Sequence, residues 1–149
     1  LSVDSAVYLS KKIINEGLNN IVVVRCDYLQ PPFKENIFNL VLCNDTLIYG
    51  YEHEMKLLHS IYSILKFDDG QCILDFSYKY HRGFWHKPYT FAYSKKEMIK
   101  MLQSLKFKIE NITPLYYEIS EDLDEKKFTS KMLKYVLPPT RYLFKCVKG

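Results

Sequence analysis

The chain has 149 residues, of which 48% are hydrophobic, 26% charged and 15% aromatic, enough for one globular domain spanning residues 1–149 with a core of its own. No apolar run is long enough to span a bilayer and no signal peptide opens the sequence, which excludes a helical membrane protein and makes a cytoplasmic protein the expectation. The net charge of +4 comes from 21 basic and 17 acidic residues that are interleaved rather than blocked, so charge alone does not argue for a nucleic-acid partner.

Taken in chain order, Leu1–Asp4 reads as the tail of a strand, and Ser5–Glu16 as an amphipathic helix. Ala6, Leu9 and Ile13, with Val7 and Ile14, fall on one face of that helix; Asp4 or Ser5 serves as cap and Gly17 as stop. Ile21–Val24 and Phe38–Cys43 are apolar runs too short for helices and rich in branched residues, the pattern of strands buried on both faces. A carboxylate follows each run, Asp27 the first and Asp45 the second. In a parallel open sheet ligands bind at the carboxyl ends of strands, so these two ends mark the floor of an expected nucleotide-type crevice. Gln30–Asn36 between them is a polar, proline-bearing loop.

Glu52–Lys66 places Leu57, Leu58, Ile61, Ile64 and Leu65 at helical spacing, and Asp68-Asp69-Gly70 turns the chain into a strand at Cys72–Tyr78. Lys79–Tyr93 is basic and aromatic without period. Ser94 and Glu97 form a capping-box signature for a helix to about Leu105, with Met98, Ile99, Leu102 and Leu105 inward. Phe107–Tyr117 is expected to be extended and bent at Pro114, Lys126–Val136 to be helical, and Arg141–Val147 to be a closing strand after Pro138-Pro139. Cys26, Cys43, Cys72 and Cys146 lie in or beside predicted strands without short paired spacing, which fits buried free thiols better than disulfides or a zinc site. Strands alternating with helices specify an α/β layer fold with right-handed crossovers and a mostly parallel sheet.

Four short stretches carry a family resemblance: Val3-Asp4-Ser5, then Cys26-Asp27 before Pro32-Phe33, then Phe38-Asn39-Leu40-Val41, then Ile64-Leu65-Lys66 through Gly70. In that succession the chain resembles the class I S-adenosylmethionine-dependent methyltransferases, and the late Ser94–Phe107 helix and final strand look similar too. The resemblance implies a Rossmann-like fold with helices on both faces of the sheet and an antiparallel C-terminal strand. It implies that Asp4 accepts hydrogen bonds from the cofactor ribose, that Asp27 with the backbone of Tyr28 holds the adenine, and that Asn44 sits near the methionine part. On the residues alone, Asp4 as a helix cap and Asp27 as a turn initiator are the alternatives.

Family members open with a strand and a glycine-rich loop, and nothing like them is present: Gly17, Gly50, Gly70, Gly83 and Gly149 are isolated. The resemblance therefore implies that an amino-terminal piece is missing or comes from a partner, that two apolar sheet edges face water, and that this stretch alone binds the cofactor weakly or not at all. Asn39 stands where the family usually has aspartate, and Phe67-Asp68-Asp69-Gly70 replaces the usual proline-glycine turn. Gln30-Pro31-Pro32-Phe33 looks like the Asn-Pro-Pro-Tyr motif of nucleic-acid amino methyltransferases, but it precedes rather than follows the fourth family strand. That counts against base amino methylation.

Methyl displacement needs alignment and a dry pocket more than elaborate catalytic groups. Asp45, Tyr49 and His53 are placed for the base that a hydroxyl or amine nucleophile would need, with ordinary loop or helix-start roles as the alternative. In Lys79–Tyr93, the aromatics Tyr80, Phe84, Trp85, Tyr89, Phe91 and Tyr93 with Lys79, Arg82 and Lys87 are the candidate lining of a pocket for a planar or acidic small molecule; the same mixture suits nucleobases and phosphates, or a lid that only packs over the sheet. The leading expectation is a methyltransferase, or the C-terminal portion of one, with a small-molecule acceptor. An RNA or protein acceptor and a non-catalytic interaction module are the alternatives, and the oligomeric state is not encoded in any motif.

Overall fold

The computed structural model describes residues 3–44, 46–47, 53–78, 92–115 and 139–149, and the chain falls into two compact units, Leu1–Pro32 and Phe33–Gly149. Among the described residues no helix is long and apolar enough to cross a membrane.

In the first unit α1 (Val3–Asn15) takes Val3 and Asp4 into its first turn, so these two residues are helical rather than the end of a strand. The reason is local: a carboxylate in the first turn complements the positive end of the helix dipole. At the other end Gly17 adopts φ +66, its N–H donates to Ile14 O, and Leu18 N–H donates to Ile13 O. That pair of bonds is the Schellman closure, and a residue without Cβ enters it at least cost. The stop at Gly17 is where the sequence puts it.

Ile21–Val24 departs from expectation. The segment is not a strand, the four-stranded sheet among the described residues does not include it, and Val22 is 83% exposed. A branched apolar run becomes a strand only when a neighbour supplies the other half of each hydrogen bond. Cys26, expected to be buried, is exposed for the same reason.

The second unit holds β1 (Leu40–Cys43), α2 (Glu54–Ile64), β2 (Gln71–Ser77), α3 (Lys95–Ser104), β3 (Phe107–Leu115) and β4 (Arg141–Lys148). The sheet order is β1-β2-β4-β3. β1 and β2 pair in parallel, and β4 inserts antiparallel between β2 and β3. Among the described residues the sheet is therefore mixed rather than mostly parallel. β1 stands at one edge, with Leu40 and Leu42 exposed; of the two apolar edges expected this one is present, while the other has no strand to carry it because Val3 and Asp4 are helical.

Register sets the faces. Cys72, Leu74 and Phe76 of β2 lie opposite Cys146, Phe144 and Tyr142 of β4, so these six share one face. Tyr62 of α2 meets Phe107 edge-on at 5.1 Å and Lys95 of α3 lies over the Tyr142 ring, which puts both helices on that face. The core forms there from Leu57, Leu58, Ile61 and Ile64 of α2, Met98 and Leu102 of α3, and the inward side chains of β2 and β4. The capping box that starts α3 is complete: Ser94 Oγ accepts from Glu97 N–H at 3.2 Å, and Glu97 Oε2 accepts from Ser94 N–H at 2.6 Å.

The turn into β2 works because Gly70 has no side chain; a Cβ there would stand 2.4 Å from Lys66 O. Pro114 does not bend β3, since β3 is an edge strand where a missing N–H costs little; the irregularity falls between Ile109 and Asn111. The expected helix at Lys126–Val136 lies outside the described residues.

Candidate functional site

β1 and β2 run in parallel, joined by α2, so the carboxyl ends of both strands and the amino ends of α2 and α3 share one rim. The described residues on this rim are Asn44 and Thr46 after β1, His53 and Glu54 at the start of α2, Ser77 and Tyr78 at the end of β2, Tyr93 and Ser94 before α3, and Arg141 opening β4.

Aromatic rings gather around the tip of β2. Phe76 stacks on Tyr142 with centroids 5.8 Å apart and meets Tyr93 at 6.4 Å; Tyr78 meets Tyr142 edge-on at 5.1 Å. Lys95 Nζ lies 5.6 Å from the centroid of the Tyr142 ring. Tyr93 N–H donates to Ser77 O at 3.0 Å, which fixes the loop that enters α3 against the strand end. On the other face of the sheet the Arg141 guanidinium donates to the buried Asp75 carboxylate, and this contact pairs both charges.

Two side-chain atoms on the rim are left over. Ser77 Oγ and Glu54 Oε2 are buried and have no hydrogen-bond partner among the described residues, although Ser77 is only 1% exposed. Folded proteins satisfy nearly all such atoms, so two at one strand end need an explanation. Burial, then the charges of Glu54 and Glu97, push the Tyr93 hydroxyl up to about 12, so it stays a phenol at neutral pH. Burial likewise raises the Cys43 thiol, with the Asp75 charge adding to it and a hydrogen bond with Thr46 opposing it.

The expected site residues fall as follows. Asp4 is exposed in the first turn of α1. Asp27 is exposed and its Oδ1 accepts from Leu29 N–H at 2.9 Å, while Gln30 N–H donates to Asp27 O; the turn-initiating reading thus has its hydrogen bonds, and the carboxylate remains open to solvent. Tyr28 beside it is also exposed. Asn44 is exposed directly after β1, and its carbonyl accepts from Thr46 Oγ1. His53 is exposed at the N-cap of α2 without a side-chain capping bond. Asp45, Tyr49, Tyr80, Arg82, Trp85 and Tyr89 lie outside the described residues. Tyr93, the last aromatic of the expected pocket lining, stands on the rim, whereas Glu54 and Ser77 escape sequence reading: a glutamate at a helix start and a serine at a strand end are ordinary there, and only packing shows that their polar atoms go unpaired.

No protein-family model matches the chain, and no curated protein does. Solved structures do match in fold. Geranyl diphosphate C-methyltransferase from Streptomyces coelicolor A3(2), solved with Mg2+, geranyl diphosphate and S-adenosyl-L-homocysteine, is 14% identical; the match covers 100% of this chain and 62% of that one with a TM-score of 0.75. The 4+2 cyclase SpnF is 14% identical over 99% of this chain and 63% of its own, at 0.74. A candidate methyltransferase from Bacillus halodurans C-125 is 18% identical over 100% of this chain and 80% of its own, at 0.68. The chain thus spans under two thirds of the first two proteins, and its fold is that of the class I methyltransferases.

Proposed function

We infer, from a fold shared with class I methyltransferases, that this chain is the methyltransferase domain, or the C-terminal portion of one, of an S-adenosylmethionine-dependent enzyme acting on a small-molecule acceptor. The observation that carries this reading is the fold itself, with strand order β1-β2-β4-β3 and β4 antiparallel, which matches at a TM-score of 0.75 a methyltransferase structure solved with S-adenosyl-L-homocysteine.

The donor set suits the cofactor. Asp4 and Asp27 expose carboxylates, and a carboxylate accepts from both hydroxyls of a diol or from an exocyclic amine. In the proposed roles Asp4 takes the ribose, Asp27 and Tyr28 the adenine, and Asn44 the methionine part. Bound S-adenosylmethionine supplies an electrophilic methyl group on a sulfonium. The chain's own task is to orient the nucleophile in line with that carbon, exclude water and accept the nucleophile's proton. Asp45, Tyr49 and His53 are the proposed proton acceptors, and Tyr80, Arg82, Trp85 and Tyr89 the proposed acceptor-binding residues.

Calorimetry with S-adenosylmethionine on the full-length gene product tests the reading. Saturable binding that weakens at least about tenfold in Asp27→Ala, the loss of one hydrogen bond to a charged group, supports it. Absence of binding overturns it. The second reading, a protein on this fold that transfers no methyl group, is favoured by the likeness to a 4+2 cyclase and by the isolated glycines. Cofactor binding without turnover of any acceptor is its expected signature.

A further inference from the structure

We propose that the tip of β2 is the polar anchor of the acceptor site, in which Glu54 and Ser77 bind a hydrogen-bond donor, an amine or a hydroxyl carried on an apolar or planar body, and reject anionic head groups. Use of this anchor for a methyl acceptor rests on the function proposed above; its occupancy by a donor does not.

Glu54 Oε2 and Ser77 Oγ, the orphaned buried atoms, both belong to the rim where the parallel strands end. A carboxylate oxygen accepts, so the group that completes Glu54 Oε2 carries N–H or O–H. A serine hydroxyl both donates and accepts, and completes whichever partner remains. The two belong to different sides of the sheet: Glu54 opens α2 on the helix-covered face, while Ser77 shares the opposite face with Asp75. The ligand therefore lies across the strand end rather than in the sheet.

Charge decides the class. Glu54 and Glu97 both act on the Tyr93 hydroxyl, and the Arg141 charge is engaged by Asp75. Lys95, seated over Tyr142, is the cation facing this cluster from α3. The unpaired Glu54 carboxylate repels a carboxylate or phosphate, whereas an aromatic face beside a carboxylate attracts an ammonium. The diphosphate substrate present with the Streptomyces enzyme is of the opposite class.

The test uses one body with three head groups: 2-phenylethylamine, 2-phenylethanol and phenylacetate, titrated into the full-length chain at neutral pH and followed by amide chemical shifts of Ser77, Tyr78 and Tyr93. The amine and the alcohol are expected to saturate, with phenylacetate weaker by about tenfold or more. Glu54→Gln keeps the shape and removes the charge, and should weaken the amine about tenfold while moving the alcohol less. Ser77→Ala should weaken both ligands yet leave the midpoint of thermal unfolding unchanged or raised, because it deletes an unpaired buried hydroxyl. Phenylacetate binding as well as the amine, an amine affinity unchanged in Glu54→Gln, or a Ser77→Ala protein that melts several degrees lower would each overturn the proposal. Calorimetry with S-adenosylmethionine fails independently: a chain that takes the amine at Glu54 but no cofactor keeps this anchor and loses the methyltransferase reading.

Discussion

The two ends of β2 bury polar groups in opposite ways. At its amino end Lys148 of β4 is 3% exposed, yet its ammonium donates to Asn36 Oδ1 at 2.8 Å and to Leu65 O at 2.9 Å, and lies 4.6 Å and 4.1 Å from the ring centroids of Tyr62 and Phe67. Leu65 is the C-cap of α2, so the cation also meets the negative end of the helix dipole. At the carboxyl end Glu54 and Ser77 hold orphaned atoms. A buried polar group that is fully paired builds the fold, and one left unpaired weakens it unless something else completes it. The amino end is the clamp of this unit and the carboxyl end its open site.

Alkali is expected to act most strongly, and in opposite directions, on Lys148 and on the buried acids Tyr93 at the carboxyl end and Cys146 beside the clamp. Burial lowers the Lys148 ammonium from its ordinary value, partly offset by the Glu35 charge. The unfolded chain therefore binds the extra proton between the lowered value and 10.5, and this residue's contribution to stability rises with pH across that window. Tyr93 and Cys146 behave oppositely. Burial pushes both up to about 12, from 10.0 and 9.0, so they keep protons that the unfolded chain has lost. Their contribution is whole below pH 9 and drains away as pH rises toward 12. Urea unfolding from pH 8 upward should show a net fall, steeper in Lys148→Met and shallower in Cys146→Ala; equal slopes in all three would erase the distinction.

At neutral pH the largest single-site effect is expected from Lys148→Met, which leaves Asn36 Oδ1 and Leu65 O without their donor and should cost about 2–3 kcal/mol in urea unfolding. Gly70→Ala drives a Cβ against Lys66 O beside the same clamp, since Gly70 O accepts from Lys148 N–H, and should cost about 1–3 kcal/mol by the same measurement. Ser94→Ala opens the capping box on the rim and should cost about 1 kcal/mol. Ser77→Ala stands at the small extreme, within about 0.5 kcal/mol of zero or slightly stabilising. A cost at Ser77 as large as that at Lys148 would make both ends structural.

Particular residues show how much was legible. The Ser94–Glu97 box, the Gly17 stop and the inward stripe of α2 are decided within one or two helical turns, so their sequence signals stand in the structure. Ile21–Val24 and Phe38–Cys43 look alike as sequences, yet only the second contributes a strand, because strand identity depends on a distant partner. The site was half legible. Asn44, His53 and Tyr93 fall on the rim as their positions after β1, before α2 and before α3 require, whereas Glu54 and Ser77 carry no motif.

The sequence by itself determined the alternation of helices and strands from β1 to α3, the helix ends marked by Gly17 and by Ser94 with Glu97, and which side chains are apolar enough to form a core, since these follow from periodicity and from contacts a few residues apart. Only the tertiary structure decided that β4 enters between β2 and β3, that Lys148 is paired while Glu54 and Ser77 are not, and that Ile21–Val24 forms no strand. Hydrogen-bond partners in a sheet, and the presence or absence of a partner for a buried atom, are set by residues far away along the chain.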